Sequence, residues 1–75
     1  MGEKSVLALP GIGIAYGLRL IGDGYSKAYV LFGKFLILRQ DKTQFILWLK
    51  QRFGISIYHA TNTANCFKEW ADQYM

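Results

Sequence analysis

The sequence is short of most residue types from which catalytic chemistry is built. It has one cysteine, Cys66, one histidine, His59, and one proline, Pro10. A lone cysteine closes no internal disulfide, which fits a reducing compartment, nucleus or cytosol. His59 and Cys66 together supply too few ligands for zinc, so no metal centre is expected. Five acidic residues stand against nine Lys and Arg. The carboxylates Asp23, Asp41, Glu69 and Asp72 fall in turns, caps or a solvent face, and no pair is placed for acid–base work. No nucleophile is placed beside His59. Neither an enzyme nor a cofactor is expected. Long apolar runs are missing too. Residues 6–21 are apolar, but they are too short to span a bilayer, are broken by Pro10 and several glycines, and carry Arg19. Glu3 beside Lys4 makes a poor signal peptide, and Val6 stands where a myristoylation pattern needs Ser or Thr. A soluble protein with no membrane insertion is expected.

What the chain does have is apolar side chain in excess of its size. Its 75 residues make one small domain. Fifty-two per cent are apolar, with five Phe, five Tyr and two Trp among them. A globule this small buries only about 60–65% of its unfolded surface. The surplus points to a partner surface, most simply a homodimer. The net charge of +4 and the pI near 9.4 point to an acidic partner, with nucleic acid the commonest; plain solubility is the competing explanation.

Along the chain the pattern predicts an all-helical domain of about four helices. A tight turn at Leu9-Pro10-Gly11-Ile12-Gly13 precedes a helix over 14–21 that Gly22 ends. Ile14, Leu18 and Ile21 recur at helical spacing, and Gly17 allows a neighbour to approach closely. Residues 27–38 read equally as a β-hairpin around Gly33-Lys34 or as an all-round apolar helix capped by Ser26. Asp41 caps the next helix, with Gln44 completing a capping box, and Gly54 stops it. Phe45, Trp48, Leu49 and Phe53 share one face, and Ile46 and Leu47 point away from it. The last helix is expected from about Thr61 or Asn62, with Phe67, Trp70, Ala71 and Tyr74 as its apolar stripe. Cys66 beside that stripe is expected to be a buried, inert thiol.

The turn carries the strongest functional signal, because it has the form of a helix-hairpin-helix turn. Two glycines let the backbone turn sharply and come close to a ligand. Ile12 is the buried peg. The amides of Gly13, Ile14 and Ala15 open a helix, lack intrahelical partners and sit at the positive end of its dipole, so a phosphate oxygen fits there. Arg19 adds a charge contact. Such contacts position a protein on nucleic acid without reading bases. A dinucleotide fingerprint over Gly11, Gly13 and Gly17 would need a parallel sheet for which the chain is too short. The plainer alternative is a helix–helix turn with glycines for packing.

In these residues the chain resembles the barrier-to-autointegration factor family. The resemblance rests on Met1-Gly2-Glu3-Lys4, Gly11-Ile12-Gly13, Lys27-Ala28-Tyr29-Val30, Gly33 with Phe35, Leu36 and Leu38, Phe45 with Trp48-Leu49-Lys50, and Glu69-Trp70 with Asp72. It covers essentially the whole chain. It implies a compact, SAM-like helical bundle with a helix-hairpin-helix, in which 27–36 is helix. It also implies a homodimer with Phe32, Gly33 and Phe35 at its interface. Each protomer would bind double-stranded DNA without sequence preference through Gly11, Ile12, Gly13, Ala15 and Arg19, and through the backbone around Ile57, Tyr58 and His59. A dimer would bridge two duplexes in chromatin. LEM-domain proteins of the nuclear envelope would bind in a groove near Ile37 and Arg39. A nuclear location, also with cytoplasmic protein, is implied.

Departures from the family pattern qualify these expectations. The family has a further N-terminal arm of about a dozen residues before the point where this chain begins, so residues 1–75 are expected to be a single domain lacking that arm. Thr61, Leu18 and Tyr58 stand where the family has basic residues, which thins the cations around the turn. Ile46 and Leu47 replace charged residues and enlarge an apolar surface, either a modified partner groove or a contact for something new, with tolerated drift of two exposed side chains the plainer explanation. Much of the positive charge lies at Lys34, Arg39, Lys42, Lys50 and Arg52, away from the turn, so DNA binding would rest on the glycine backbone more than on net charge. The alternative function is a protein-interaction module that heterodimerises with full-length family members or holds LEM-domain proteins.

Overall fold

The computed structural model describes residues 4–74, and the expectations that fall on Met1, Gly2, Glu3 and the Tyr74 side chain lie outside the described residues. The chain enters through one 3-10 turn, Val6–Ala8. Ser5 starts it, its hydroxyl oxygen accepting from the Leu7 amide. This entry segment is pinned to the strand-like approach of the second helix: the Val6 amide donates to the Ser26 carbonyl at 3.1 Å and the Ala28 amide to the Lys4 carbonyl at 2.7 Å.

Four helices follow: α1 (Gly13–Gly22), α2 (Ala28–Ile37), α3 (Lys42–Phe53) and α4 (Ile57–Tyr74). Residues 27–38 therefore form a helix and not a hairpin. Ala28, Leu31, Phe32 and Phe35 are buried along α2, a spacing of three and four that puts them on one helical face. Lys27 is its N-cap position, one residue after the expected Ser26. α3 has the Asp41 cap and the Gly54 stop its sequence predicts, but not the reciprocal half of the capping box, because the Asp41 amide donates to the Leu38 carbonyl at 3.1 Å. The Asp41 carboxylate accepts from the Gln44 amide at 3.2 Å. Gly54 adopts φ 71°, and Ile55 donates back to the Leu49 carbonyl, which closes the helix in a Schellman arrangement.

α4 begins at Ile57, a full turn before the expected start at Thr61 or Asn62. Ser56 caps it, its Oγ accepting from the His59 amide at 3.3 Å. The threonines that look like a helix start lie inside the helix because their hydroxyls bond back one turn: Thr61 Oγ1 donates to the Ile57 carbonyl at 2.6 Å.

The core is aromatic. Phe35, Phe45 and Phe67 are fully buried, with ring centroids 5.3 Å apart for Phe35–Phe45 and 5.7 Å for Phe45–Phe67. Phe32 packs edge-on against Phe67 at 5.3 Å and Trp70 at 4.7 Å. Such pairs contribute roughly 0.5–1.5 kcal/mol each beyond the area they bury. This placement corrects one expectation. Phe35 is fully buried and Phe32 is 6% exposed, so both rings are committed to the protomer's own core and offer almost no surface to a second copy. The outward side of α2 is instead Tyr29, Gly33 and Ile37, spaced four residues apart. Tyr29 and Ile37 are exposed, and a Cβ at Gly33 would meet nothing within 4 Å.

α1 turns its aliphatic residues away from the core and buries Gly17, as the close approach expected there requires. Its apolar stripe faces outward, with Ile14 73% and Leu18 59% exposed and Ile21 exposed below them. The buried side is Gly17 and Leu20. A Cβ at Gly17 would collide with Leu7 Cδ2, so the glycine lets the 3-10 turn lie directly on the helix.

Candidate nucleic-acid interface

The turn between the 3-10 segment and α1 is built from Leu9 to Gly13. The Ile12 amide donates to the Leu9 carbonyl at 3.2 Å. Gly11 and Gly13 both lie in the left-handed region, at φ 85° and 64°, between them reversing the chain within three residues. Ile12 is 1% exposed and anchors the turn in the core, so only its backbone is available to a ligand.

The two glycines do different work. A Cβ at Gly11 would collide with the carbonyl oxygen of His59 and lie 2.9 Å from Thr63 Oγ1. Gly11 thus lets the turn rest on the first turns of α4. A Cβ at Gly13 would meet nothing within 4 Å, so that residue faces open space. Thr63 locks the contact from the other side. It is a fully buried polar residue, and its hydroxyl donates to the Pro10 carbonyl at 2.6 Å, with the His59 carbonyl a second acceptor at 3.3 Å. Sequence reasoning missed Thr63, because its partner is 53 residues away. The available signal was its position four residues after His59, on the face it shares with Ala60, Ala64 and Phe67.

α1 then starts at Gly13 with no side-chain cap at Ile12. The amides of its first turn are the orphan donors of a helix N-terminus, on residues Gly13, Ile14 and Ala15 that are all exposed. Gly11, Ile12, Gly13, Ile14, Ala15, Tyr16 and His59 surround one open depression of about 420 Å³. The structure therefore brings the expected Gly11, Ile12, Gly13, Ala15 and His59 together. Tyr16 joins them unforeseen, half-buried, its ring tilted against His59 at 5.8 Å. Ile57 and Tyr58 stand exposed on the first turn of α4 and do not line the depression, although the Tyr58 ring meets that of His59, which does.

Arg19 is placed two turns along α1. Its Nη1 donates to the Phe53 carbonyl at 2.8 Å, which closes the C-terminus of α3. Its guanidinium also lies 5.8 Å from the Tyr16 ring centroid. Arg19 is exposed, so its remaining donors face solvent while one is held by the fold. Next to it Arg52 grips Asp23 through Nη2 at 2.8 Å and Nε at 3.3 Å, which ties the end of α3 to the end of α1.

Of the residues expected at a partner groove, Ile37 and the pair Ile46 and Leu47 flank the link between α2 and α3, and Arg39 lies within it. Ile37 is 73% exposed and Arg39 is exposed. Ile46 is half-buried and packed against the core, so it is only partly available, whereas Leu47 is exposed. The link is unusual because Arg39 and Gln40 both adopt left-handed backbone, at φ 60° and 59°. Backbone bonds from Arg39 to Leu36 and from Gln40 to Phe35 hold it, and Lys68 Nζ donates to Gln40 Oε1 at 3.2 Å. Cys66 is half-buried, not fully buried as expected. Burial raises its thiol pKa, Glu69 adds to the shift and Lys4 opposes it. Among the described residues no group of three His, Cys, Asp or Glu side chains could hold a metal ion. Among the described residues no helix is long and apolar enough to cross a membrane.

Four helices, a glycine turn seated on the last of them and an uncapped helix start beyond it define a small helix-hairpin-helix protein with a SAM-like fold. The family profile described as barrier to autointegration factor matches residues 1–74. Barrier-to-autointegration factor 1 of Caenorhabditis elegans is 49% identical over 75 residues, covering all of this chain and 84% of that protein. The zebrafish (Danio rerio) barrier-to-autointegration factor is 45% identical and the human protein 40%, with 83% and 84% of their lengths covered. The chain belongs to the barrier-to-autointegration factor family.

Proposed function

We propose that this chain binds double-stranded DNA without sequence preference and, as a homodimer, bridges two duplexes in the nucleus. The observation that carries this reading is the first turn of α1. Gly11 and Gly13 present its uncapped amides beside an open depression, where a phosphate oxygen is accepted by backbone donors and by the positive end of the helix dipole. Amides and phosphates carry no base information, so binding is indifferent to sequence. This reading involves no catalysis. Self-association uses the outward side of α2, where Gly33 lets a second helix approach between Tyr29 and Ile37. LEM-domain proteins would meet Ile37, Arg39 and Leu47 beside the α2–α3 link.

Few cations surround the turn. No Lys or Arg lines the depression, and Arg19, on the same helix, is partly held by the Phe53 carbonyl. Each phosphate contact contributes about 0.9 to the slope of log affinity against log salt, so a shallow slope is expected. A gel shift on duplex DNA at low salt, followed by a salt titration, tests the proposal. Absence of any shift at low salt would refute it.

A second reading draws on one observation, the exposed aliphatic ridge Ile14, Leu18 and Ile21 on the helix that would face DNA. It makes the chain a protein-interaction member of the family that pairs with a longer relative or holds LEM-domain proteins. Sedimentation of the purified chain, alone and with a LEM-domain peptide, separates the two. A monomer that ignores both DNA and the peptide would contradict both.

A further inference from the structure

The depression at the turn is bordered by aromatic rings whose faces a duplex phosphate does not engage. Tyr58 stands 73% exposed on the first turn of α4. Its ring meets His59 edge-on, with centroids 5.4 Å apart at 85°. His59 in turn tilts against Tyr16 at 5.8 Å, and the Arg19 guanidinium lies 5.8 Å from the centre of that ring. Tyr58, His59, Tyr16 and Arg19 thus form a continuous row whose two middle members, His59 and Tyr16, line the depression, with Tyr58 and Arg19 outside it at either end. The other wall carries Ile14, itself 73% exposed. The site is consequently walled by rings and an aliphatic side chain, and no Lys or Arg lines it.

A duplex can use the hydroxyl and N–H groups of such a wall on its phosphates, but it leaves the ring faces unused. Its bases are covered on both faces by their neighbours, and only phosphates and sugars reach a shallow protein surface. An unpaired base has a free face, and stacking on an aromatic ring strengthens binding by about 5- to 150-fold per base. Arg19 behind Tyr16 adds the positive charge that draws the backbone inward.

We propose that this site takes an unpaired nucleotide of single-stranded nucleic acid, its base stacked on Tyr58 and its phosphate at the turn. The inference rests on the proposed role of the turn as a phosphate site and narrows it to a class of ligand. DNA and RNA share the chemistry, and the experiment separates them.

The test is fluorescence anisotropy of the whole chain at low salt with labelled oligothymidylate, oligouridylate, an abasic strand of equal length, and a duplex. The abasic strand keeps the phosphates and lacks the bases. Oligothymidylate or oligouridylate should bind about 5- to 150-fold more tightly than the abasic strand, and whichever does so shows which sugar is accepted. Tyr58→Ala should remove that advantage, and Tyr58→Phe should keep it. Circular dichroism checks that both variants are folded, and the 73% exposure of Tyr58 leaves the core untouched. Base-containing and abasic strands bound equally would overturn the proposal, as would a Tyr58→Ala variant that retains the full advantage. Duplex binding without a base-dependent gain defeats this inference alone. A base-dependent gain without duplex binding defeats the duplex reading alone.

Discussion

Replacing Gly11 by alanine should damage the protein far more than the same change at Gly13, although both glycines have positive φ. At Gly11 three costs coincide. An L-residue in left-handed backbone costs about 1–2 kcal/mol. The new methyl group runs into the His59 carbonyl, which is main chain of α4 and cannot swing aside, and such overpacking costs about 1–3 kcal/mol. It also lies 2.9 Å from Thr63 Oγ1, and displacing that hydroxyl from Pro10 costs about 1 kcal/mol more. The total is about 3–6 kcal/mol, against roughly 4–11 kcal/mol for a domain of this length. At Gly13 only the backbone cost applies, because the Cβ enters open space. Thermal unfolding followed by circular dichroism reads the difference. For a domain of this size 1 kcal/mol moves Tm by about 4–8 °C, so the roughly 3–6 kcal/mol at Gly11→Ala should lower it by about 12 °C or more and the roughly 1–2 kcal/mol at Gly13→Ala by about 4–16 °C, with Gly11→Ala the lower of the two by at least about 8 °C. Equal midpoints for the two variants would refute the claim that Gly11 seats the turn on α4.

Three further outcomes follow from the same structure. Thr63→Val keeps the shape but leaves the Pro10 carbonyl without its donor, so urea unfolding should show a loss of about 1–3 kcal/mol, and an unchanged midpoint would deny the lock. Gly33→Glu should leave the protomer folded, since its Cβ meets nothing, yet place charges in an apolar contact between α2 helices; sedimentation should report monomer, and a dimer of unchanged mass would put the interface elsewhere. Cys66 should alkylate more slowly at neutral pH than a free cysteine, because burial and Glu69 raise its thiol pKa and only the thiolate reacts. The sign for stability is the same: the protonated thiol favours the folded state below the unfolded thiol's pKa, and that contribution is lost as pH rises through the folded one. Alkylation at the rate of a free thiol would contradict this.

What could be read from the sequence was what short-range chemistry decides. Asp41 and Gly54 mark the ends of α3 because a cap and a left-handed stop act within a few residues. The turn was legible for the same reason. α2 was ambiguous because it is apolar all round, and periodicity does not separate a helix from a hairpin when no polar face is present. On α1 the spacing of Ile14, Leu18 and Ile21 does not mark the buried side, whereas Gly17, expected to admit a close neighbour, does, with Leu7 lying against it. The start of α4 was displaced because threonine favours caps in general, whereas Thr61 bonds back to Ile57 within the helix. Phe32 and Phe35 looked like surplus apolar surface, and only the packing against Phe67, Trp70 and Phe45 assigns them to the core. Thr63 and Tyr16 were invisible because their roles depend on residues far along the chain.

The central claim is that the amides opening α1 hold a phosphate. Gly13→Glu tests it most directly, because the position is exposed and its side chain enters open space while the new carboxylate competes for those amides. The account predicts a folded variant by circular dichroism that no longer shifts duplex DNA at low salt, while the parent chain does. A folded Gly13→Glu protein that binds duplex as tightly as its parent would contradict it.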